Sequence, residues 1–428
     1  MRIDLDTAFL EDGIRSTNFF NGRLLSAEDL SQEQTAHEAA LGRHVRAMGE
    51  GVAHGLAVSI APGSTVSSPL VTVTAGLALS RAGHALELLQ PVEVSLVRGP
   101  SNSGSGATAT ATGGFETCAP GSSDYVSGTG VYLLVLSPAS GREGRAPVSG
   151  LGGNPSSGCE AKRRVEGVRF RLLDLKLTAA QLSDEARLRN RVAHLCLGTS
   201  DAASRAWMMN PFGPANPPYG LIDKLRPTVL TPCDVPLAVV HWKAGVGLRW
   251  VDAWAARRRP ARVATPERWG LGLEDRRATE GEASFLQFQE HLDTLRTGTP
   301  ETVRALDHFV ALPAVGLLPL EGMTGARGFT YTKFFDGLTY PPEAPVHVEG
   351  SRLQALLRMS LAYPPVDLVR KEPFLWLYLV HENQLAQSDA STPRPQPYLV
   401  FASGYLPYLG DARSDAAHWH FGNYALPR

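Results

Sequence analysis

Residues 18–30, Asn-Phe-Phe-Asn-Gly-Arg-Leu-Leu-Ser-Ala-Glu-Asp-Leu, constrain the fold more than any other stretch of this chain. The aromatic pair Phe19 and Phe20 runs into a turn signal at Asn21-Gly22. Leu24 and Leu25 follow, and then a helix start. Ser26 has a side chain able to accept the orphan N–H groups of a first helical turn. Glu28 and Asp29 put negative charge where the helix dipole is positive. The helix is predicted from about Ala27 to Met48, with Gly49 and Gly51 ending it. Leu30, Gln34, His37, Leu41, Val45 and Met48 share one face. This mixed stripe is expected to pack against the sheet that follows rather than to zip two helices together.

The following residues read as β-structure. Val71 to Thr74 and His84 to Leu89 flank Gly76 and a turn at 81–83, and Val92 to Val97 supplies a further strand. Residues 1–99 are therefore expected to form a helix folded onto a small antiparallel module. Residues 100–129 are mostly Gly, Ser, Thr and Ala, a composition that buries little apolar surface and reads as a flexible linker or loop. A second such stretch is Ser149 to Ser157. Strands are predicted at Val131–Leu136, Val168–Leu177, Arg191–Leu197, Leu237–Trp242 and Leu248–Trp254, with a turn at 243–247. Residues 130–262 then make a mostly antiparallel β domain.

Beyond the basic run Arg257-Arg-Arg-Pro-Ala-Arg262 the pattern changes. Phe285, Phe288, Leu292 and Leu295 mark an amphipathic helix. Thr299 and Pro300 look like the cap and first position of another that reaches about Val310. A third helix is expected around Ser351 to Leu361, and strands at Phe374–His381 and Tyr398–Ser403. Residues 263–428 are thus an α+β domain, and the chain as a whole is α+β and β-rich.

A chain of 428 residues is long enough for two or three cores at roughly 100–200 residues per domain. Its formal net charge of −1 offers no electrostatic footprint for nucleic acid or an anionic membrane. Near neutrality also leaves little repulsion between copies, which suits a subunit of an assembly. The N-terminus lacks the apolar core of a signal peptide, and no apolar run approaches the ~20 residues of a membrane span. The expectation is no membrane insertion, with synthesis in the cytoplasm and assembly into a particle that is released or membrane-associated. Cys118, Cys159, Cys196 and Cys233 include no Cys-x-x-Cys pair, and free thiols are favoured over a disulfide or zinc site.

The sequence offers no recognisable arrangement of catalytic residues, and no cofactor or metal is expected. His381-Glu382 lacks the second histidine of a zinc-protease helix. His418 and His420 would share one face of a strand as half a metal site, but no third ligand is identifiable, and surface or interface histidines are the favoured reading. Gly104-Ser-Gly106 lies in low complexity and is no nucleophile elbow. The glycines at 150–158 do not join a strand to a helix as a phosphate loop requires. Arg257 to Arg259 read as a solvated face. Trp207, Trp242, Trp250, Trp254 and Tyr219 offer a carbohydrate groove, although core or subunit contact is the commoner use of such aromatics. Catalytic carboxylates need no local motif, so a hydrolase with scattered acids stays open.

The segment Asn18 to Leu30, with its helix, then His54-Gly-Leu-Ala-Val and Val73-Thr-Ala-Gly-Leu-Ala-Leu, resembles a bacterial family associated with phage-tail-like contractile injection systems. Cys159 to Gly167, Asp234 to Val240, Val251-Asp252 and Leu312 to Pro319 are similar to later parts of the same family. Ala75 and Ser80 depart from its usual Pro and Asp. The resemblance implies a non-enzymatic structural subunit at the baseplate, cap or fibre, with other particle subunits and copies of itself as partners. Phe19, Phe20, Asn21, Gly22, Leu24, Leu25, Asp29 and Leu30 are the candidate seating residues. The alternative from another class is a receptor- or glycan-binding fibre protein using the Trp-rich central segment.

Overall fold

The computed structural model describes residues 10, 13–97, 123–147, 159–199, 220–226, 228–261, 275–321, 327–342, 344–349, 363–369, 374–381 and 398–403. Helix α1 is Ala27–Met48. Six short strands follow: β1 Gly51–Gly55, β2 Val58–Ile60, β3 Leu70–Val73, β4 Gly76–Leu79, β5 Ala85–Leu88 and β6 Val92–Ser95. They form two three-stranded antiparallel sheets, β1-β4-β5 and β2-β3-β6. The chain crosses between the sheets at Gly55 and Leu56, both with positive φ. A Cβ on Gly55 would stand 1.9 Å from the Ala75 carbonyl oxygen, so only glycine admits this crossing.

The central sheet has the order β10-β9-β7-β8, built from β7 Gly130–Pro147, β8 Cys159–Asp174, β9 Val235–Lys243 and β10 Gly247–Asp252, all antiparallel. The first half of β7 is buried on both faces. Tyr132, Leu134 and Leu136 point into a core shared with the N-terminal strands, among them Val52, Leu56, Val71 and Leu86. Val131, Leu133 and Val135 point the other way, into a core with Leu188, Val192 and Cys196. Period-two alternation therefore builds two cores, one on each side of a single sheet.

The second layer is helical: α2 Ala179–Leu182, α3 Glu185–Leu197, α4 Leu221–Leu225 and α5 Ala253–Ala256. Residues 191–197, predicted as a strand, are the second half of α3. Asp184 caps this helix through Arg187 N–H, and Gly198 ends it with φ +73°. Leu188, Val192 and Cys196 recur at helical spacing. The run looks continuously apolar because α3 is buried on nearly every side, which hides its period. Residues 253–254, expected to end a strand, instead open α5 under the Asp252 cap.

Helix α6, Asp275–Arg296, carries Phe288 and Leu292 into a third core. The expected helix from Thr299 to Val310 is broken. A 3-10 turn spans Pro300–Thr302, Val303 and Arg304 are extended, and α7 is only Ala305–His308. The Thr299 hydroxyl meets that of Thr302 rather than capping an N–H, and Val303, Ala305 and Phe309 all turn into the core. The strands β11 Ala311–Leu312 and β14 Val366–Asp367 pair. The strands β12 Val315–Pro319, β16 Tyr398–Ser403, β15 Leu375–His381 and β13 Val346–Glu349 form a second sheet in that order, with β13 parallel to β15. Helix α8 is Tyr331–Phe334. The protein is thus a mixed α+β, β-rich fold.

Buried polar groups tie these parts together. The Asp252 carboxylate accepts from Arg189 Nε at 2.7 Å and Gln287 Nε2 at 2.9 Å, joining the central sheet, α3 and α6. Asn190 Oδ1 accepts from the Val310 and Ala311 amides. Cys196 is a buried free thiol, whereas Cys233 is disulfide-bonded, which corrects the reading of the cysteines as free. Cys118, the stretches 100–122 and 148–158, the expected helix at 351–361, Trp207, Tyr219, and His418 with His420 lie outside the described residues.

Candidate functional site

The entry segment forms a hook held by its polar groups. Asn21-Gly22 is a turn, with Gly22 at φ +90° and Arg23 N–H donating to Phe20 O at 3.2 Å. Arg23 donates through Nη1 to Asn18 O at 2.6 Å, pairs through Nη2 with Asp29, and lies 5.9 Å from the centroid of the Phe20 ring. Ser26 is the N-cap, as the sequence predicts, and the box is reciprocal. Asp29 N–H donates to Ser26 Oγ at 3.1 Å, and Ser26 N–H to Asp29 Oδ2 at 2.9 Å. The Ser26 amide and hydroxyl, with the Arg23 cation, hold the Asp29 carboxyl below the usual carboxylate range. Thr17 returns along the helix, its amide on Glu33 Oε2 at 3.0 Å and its hydroxyl on Asp29 O at 2.8 Å.

Every apolar side chain of the hook is left outside this scaffold. Leu24 is 93% exposed, Phe20 62%, Phe19 54%, Leu30 52% and Leu25 50%. Asn21 and Gly22 are exposed, and Asp29 is half-buried. The structure therefore brings the candidate seating residues together on one rigid, water-facing element. Thr17, Arg23 and Glu33, which make it rigid, are not legible in advance. Arg23 and Asp29 stand at no spacing that a local rule recognises, and Thr17 reaches Glu33 only after the chain has turned.

Helix α1 does not lie on a sheet. Of its residues only Ala36 and Gly42 are buried, and Leu30, Leu41 and Met48 of the expected packing stripe are exposed. The helix meets the module where a Cβ on Gly83 would stand 2.6 Å from Gly42 O and Arg46 Nη1 donates to Ala82 O at 3.1 Å. Its foot is clamped instead. Glu50 accepts from Arg81 Nη2 at 2.6 Å and Arg226 Nη2 at 2.9 Å, and its backbone pairs with Ala261. A fixed base and an unpacked shaft with an apolar end suit contact with another molecule.

The other candidates are absorbed by structure. Trp242 is buried toward the N-terminal module. Trp250 leans on His241 at 5.2 Å on the opposite face, and Arg257 covers the Trp254 ring at 5.4 Å. Trp242 and Trp250 thus face different cores. Arg257 and Arg258 are half-buried, with Arg258 Nη1 donating to Trp254 O at 2.9 Å, whereas Arg259 stays exposed and pairs through Nε with Glu282 at 2.5 Å. Burial pushes His194 and His241 down to about 4 and His291 to about 3, and pushes the Cys196 thiol up to about 12. Burial also raises Glu290, although Trp254 Nε1–H donates to it at 2.8 Å. Among the described residues no three His, Cys, Asp or Glu side chains converge as metal ligands, and no helix is long and apolar enough to cross a membrane. No protein-family model matches the chain, and no curated protein matches it.

Proposed function

We propose that this protein is a non-enzymatic structural subunit of a phage-tail-like contractile injection particle, working through protein–protein interfaces at the baseplate or periphery. One observation carries the reading: the chain commits a capping box, an ion pair and the Thr17 hydrogen bonds to fixing residues 17–33, yet leaves Phe19, Phe20, Leu24, Leu25 and Leu30 in water. A pre-ordered apolar element loses little entropy on docking, so its exposed area converts efficiently into affinity. Its partners are other particle subunits and copies of this chain. The cytoplasm is the site of synthesis, and the assembled particle carries the protein thereafter.

The test is to tag the chain in its native host, purify it under mild salt, and examine the eluate by electron microscopy and mass spectrometry. Rod-shaped particles carrying sheath and tube proteins are the expected result. A clean monomer without particle partners overturns the proposal.

A further inference from the structure

Strand β9 accompanies β7 only as far as Leu136. From there residues 137–147 of β7 and 159–169 of β8 continue as a two-stranded ribbon, about 35 Å long at roughly 3.3 Å per residue. Residues 161–167 of β8 are all exposed, and β8 is the outermost strand of its sheet. A two-stranded ribbon is marginal in water, and this one is lean: Ala139, Gly141, Gly144, Ala161 and Gly167 contribute almost no cross-strand packing. Arg142 also stands directly opposite Arg164, a like-charge rung that weakens the pair.

We propose that the β8 edge is a self-pairing surface, on which a second copy of this chain adds its own β8 antiparallel about a two-fold axis normal to the sheet. The order of charges selects the register. Such an axis pairs residues of equal parity, so it must pass through one residue. Centred on Arg163 it opposes Lys162 to Arg164 and Glu160 to Glu166. Centred on Arg164 or Glu166 it opposes that charge to itself. Centred on Val165, it joins two valines that are each 45% exposed, and opposes Arg164 to Glu166 of the second copy on both sides of the axis. No like charges then meet across the new edge from Lys162 to Val168.

Arg164 and Glu166 lie on the same face and already approach to 3.4 Å within one strand. The dimer turns this into a ring of four alternating charges, with a second carboxylate beside the Arg142–Arg164 rung. Charged edge strands ordinarily keep copies apart; here the order of signs favours the Val165 register over those centred on residues 162, 163, 164 and 166. The result is a continuous eight-stranded sheet through two central domains, closed by two-fold symmetry. This surface is distinct from the hook, so its failure leaves the particle reading standing, and the reverse also holds.

Sedimentation of the full chain in low and high salt tests the proposal. Wild type should sediment as a dimer that weakens with salt. Arg164→Glu and Glu166→Arg should each loosen it by at least about tenfold. The double variant, which restores opposite signs across the axis, should recover it. Both substitutions lie on exposed side chains, and circular dichroism spectra of the variants should match wild type. A monomeric wild type, a dimer indifferent to the single changes, or singles not rescued by the double would each overturn it.

Discussion

Replacing Leu24 and Leu25 together by aspartate separates a packing role from a docking role for the hook. Leu24 is 93% and Leu25 50% exposed, and neither supports the polar scaffold around Asp29. Folding stability should therefore change by no more than about 1.5 kcal/mol, the share of Leu25 already out of water. Docking is another matter. Fully burying a leucine is worth about 1.5–3 kcal/mol relative to leaving it in water. Scaled by the exposure each has now, the two side chains supply about 2–4 kcal/mol to a contact that covers both. At 1.4 kcal/mol per tenfold, that is about 30- to 1000-fold in affinity. The assay pairs a thermal melt of the purified chain with quantitation of chain retained on isolated particles, for wild type and variant. The expected result is a melt lowered slightly at most, with retention largely lost. Unchanged retention on a folded variant refutes the hook as the seat. A large drop in melting temperature refutes the claim that these leucines are unpacked.

Three further outcomes follow from buried groups. Asp234 is buried, accepting from Arg171 Nη1 at 2.6 Å, the Thr231 amide at 2.8 Å and the Ser137 hydroxyl. Arg171→Met or Asp234→Leu alone should cost about 3–5 kcal/mol, and the double should recover most of it; additive losses in urea melts would show the pair is not coupled. His194, His241 and His291 titrate near 6.5 when unfolded but at about 4, 4 and 3 when folded. Above pH 6.5 they contribute nothing. As pH falls from 6.5 toward 4 the unfolded chain takes up protons that the folded one refuses, and stability drops by up to about 1.4 kcal/mol per pH unit per histidine. His291 Nδ1 has no hydrogen-bond partner, so His291→Leu should flatten this acid limb; an unchanged slope in urea melts at several pH values refutes the assignment. Finally, Gly55→Ala forces a Cβ against the Ala75 carbonyl at φ +61° and should destabilise the N-terminal module by more than about 1 kcal/mol, seen as faster amide exchange in β1 and β4. Exchange at the wild-type rate would mean the crossing tolerates a side chain.

What sequence alone determines here is whatever is decided within a few residues. The Ser26 cap, the span of α1, the Asn21-Gly22 turn, the hairpin at 243–247 and the strands at 131–136, 237–242 and 398–403 follow from caps, turn residues and alternation, all local. The exposure of the hook was not local. Periodicity names the stripe Leu30, Leu41 and Met48 but not what covers it, and the Gly42–Gly83 crossing leaves it bare. Residues 191–197 misled for the complementary reason: a helix buried between a sheet and α6 shows no polar face by which to read its period. The Asp252 junction with Arg189 and Gln287, the Arg171–Asp234 pair and the Glu50–Arg226 clamp all join residues far apart in the chain. Such partners are chosen by packing free energy summed over the whole fold, which no short window of sequence contains.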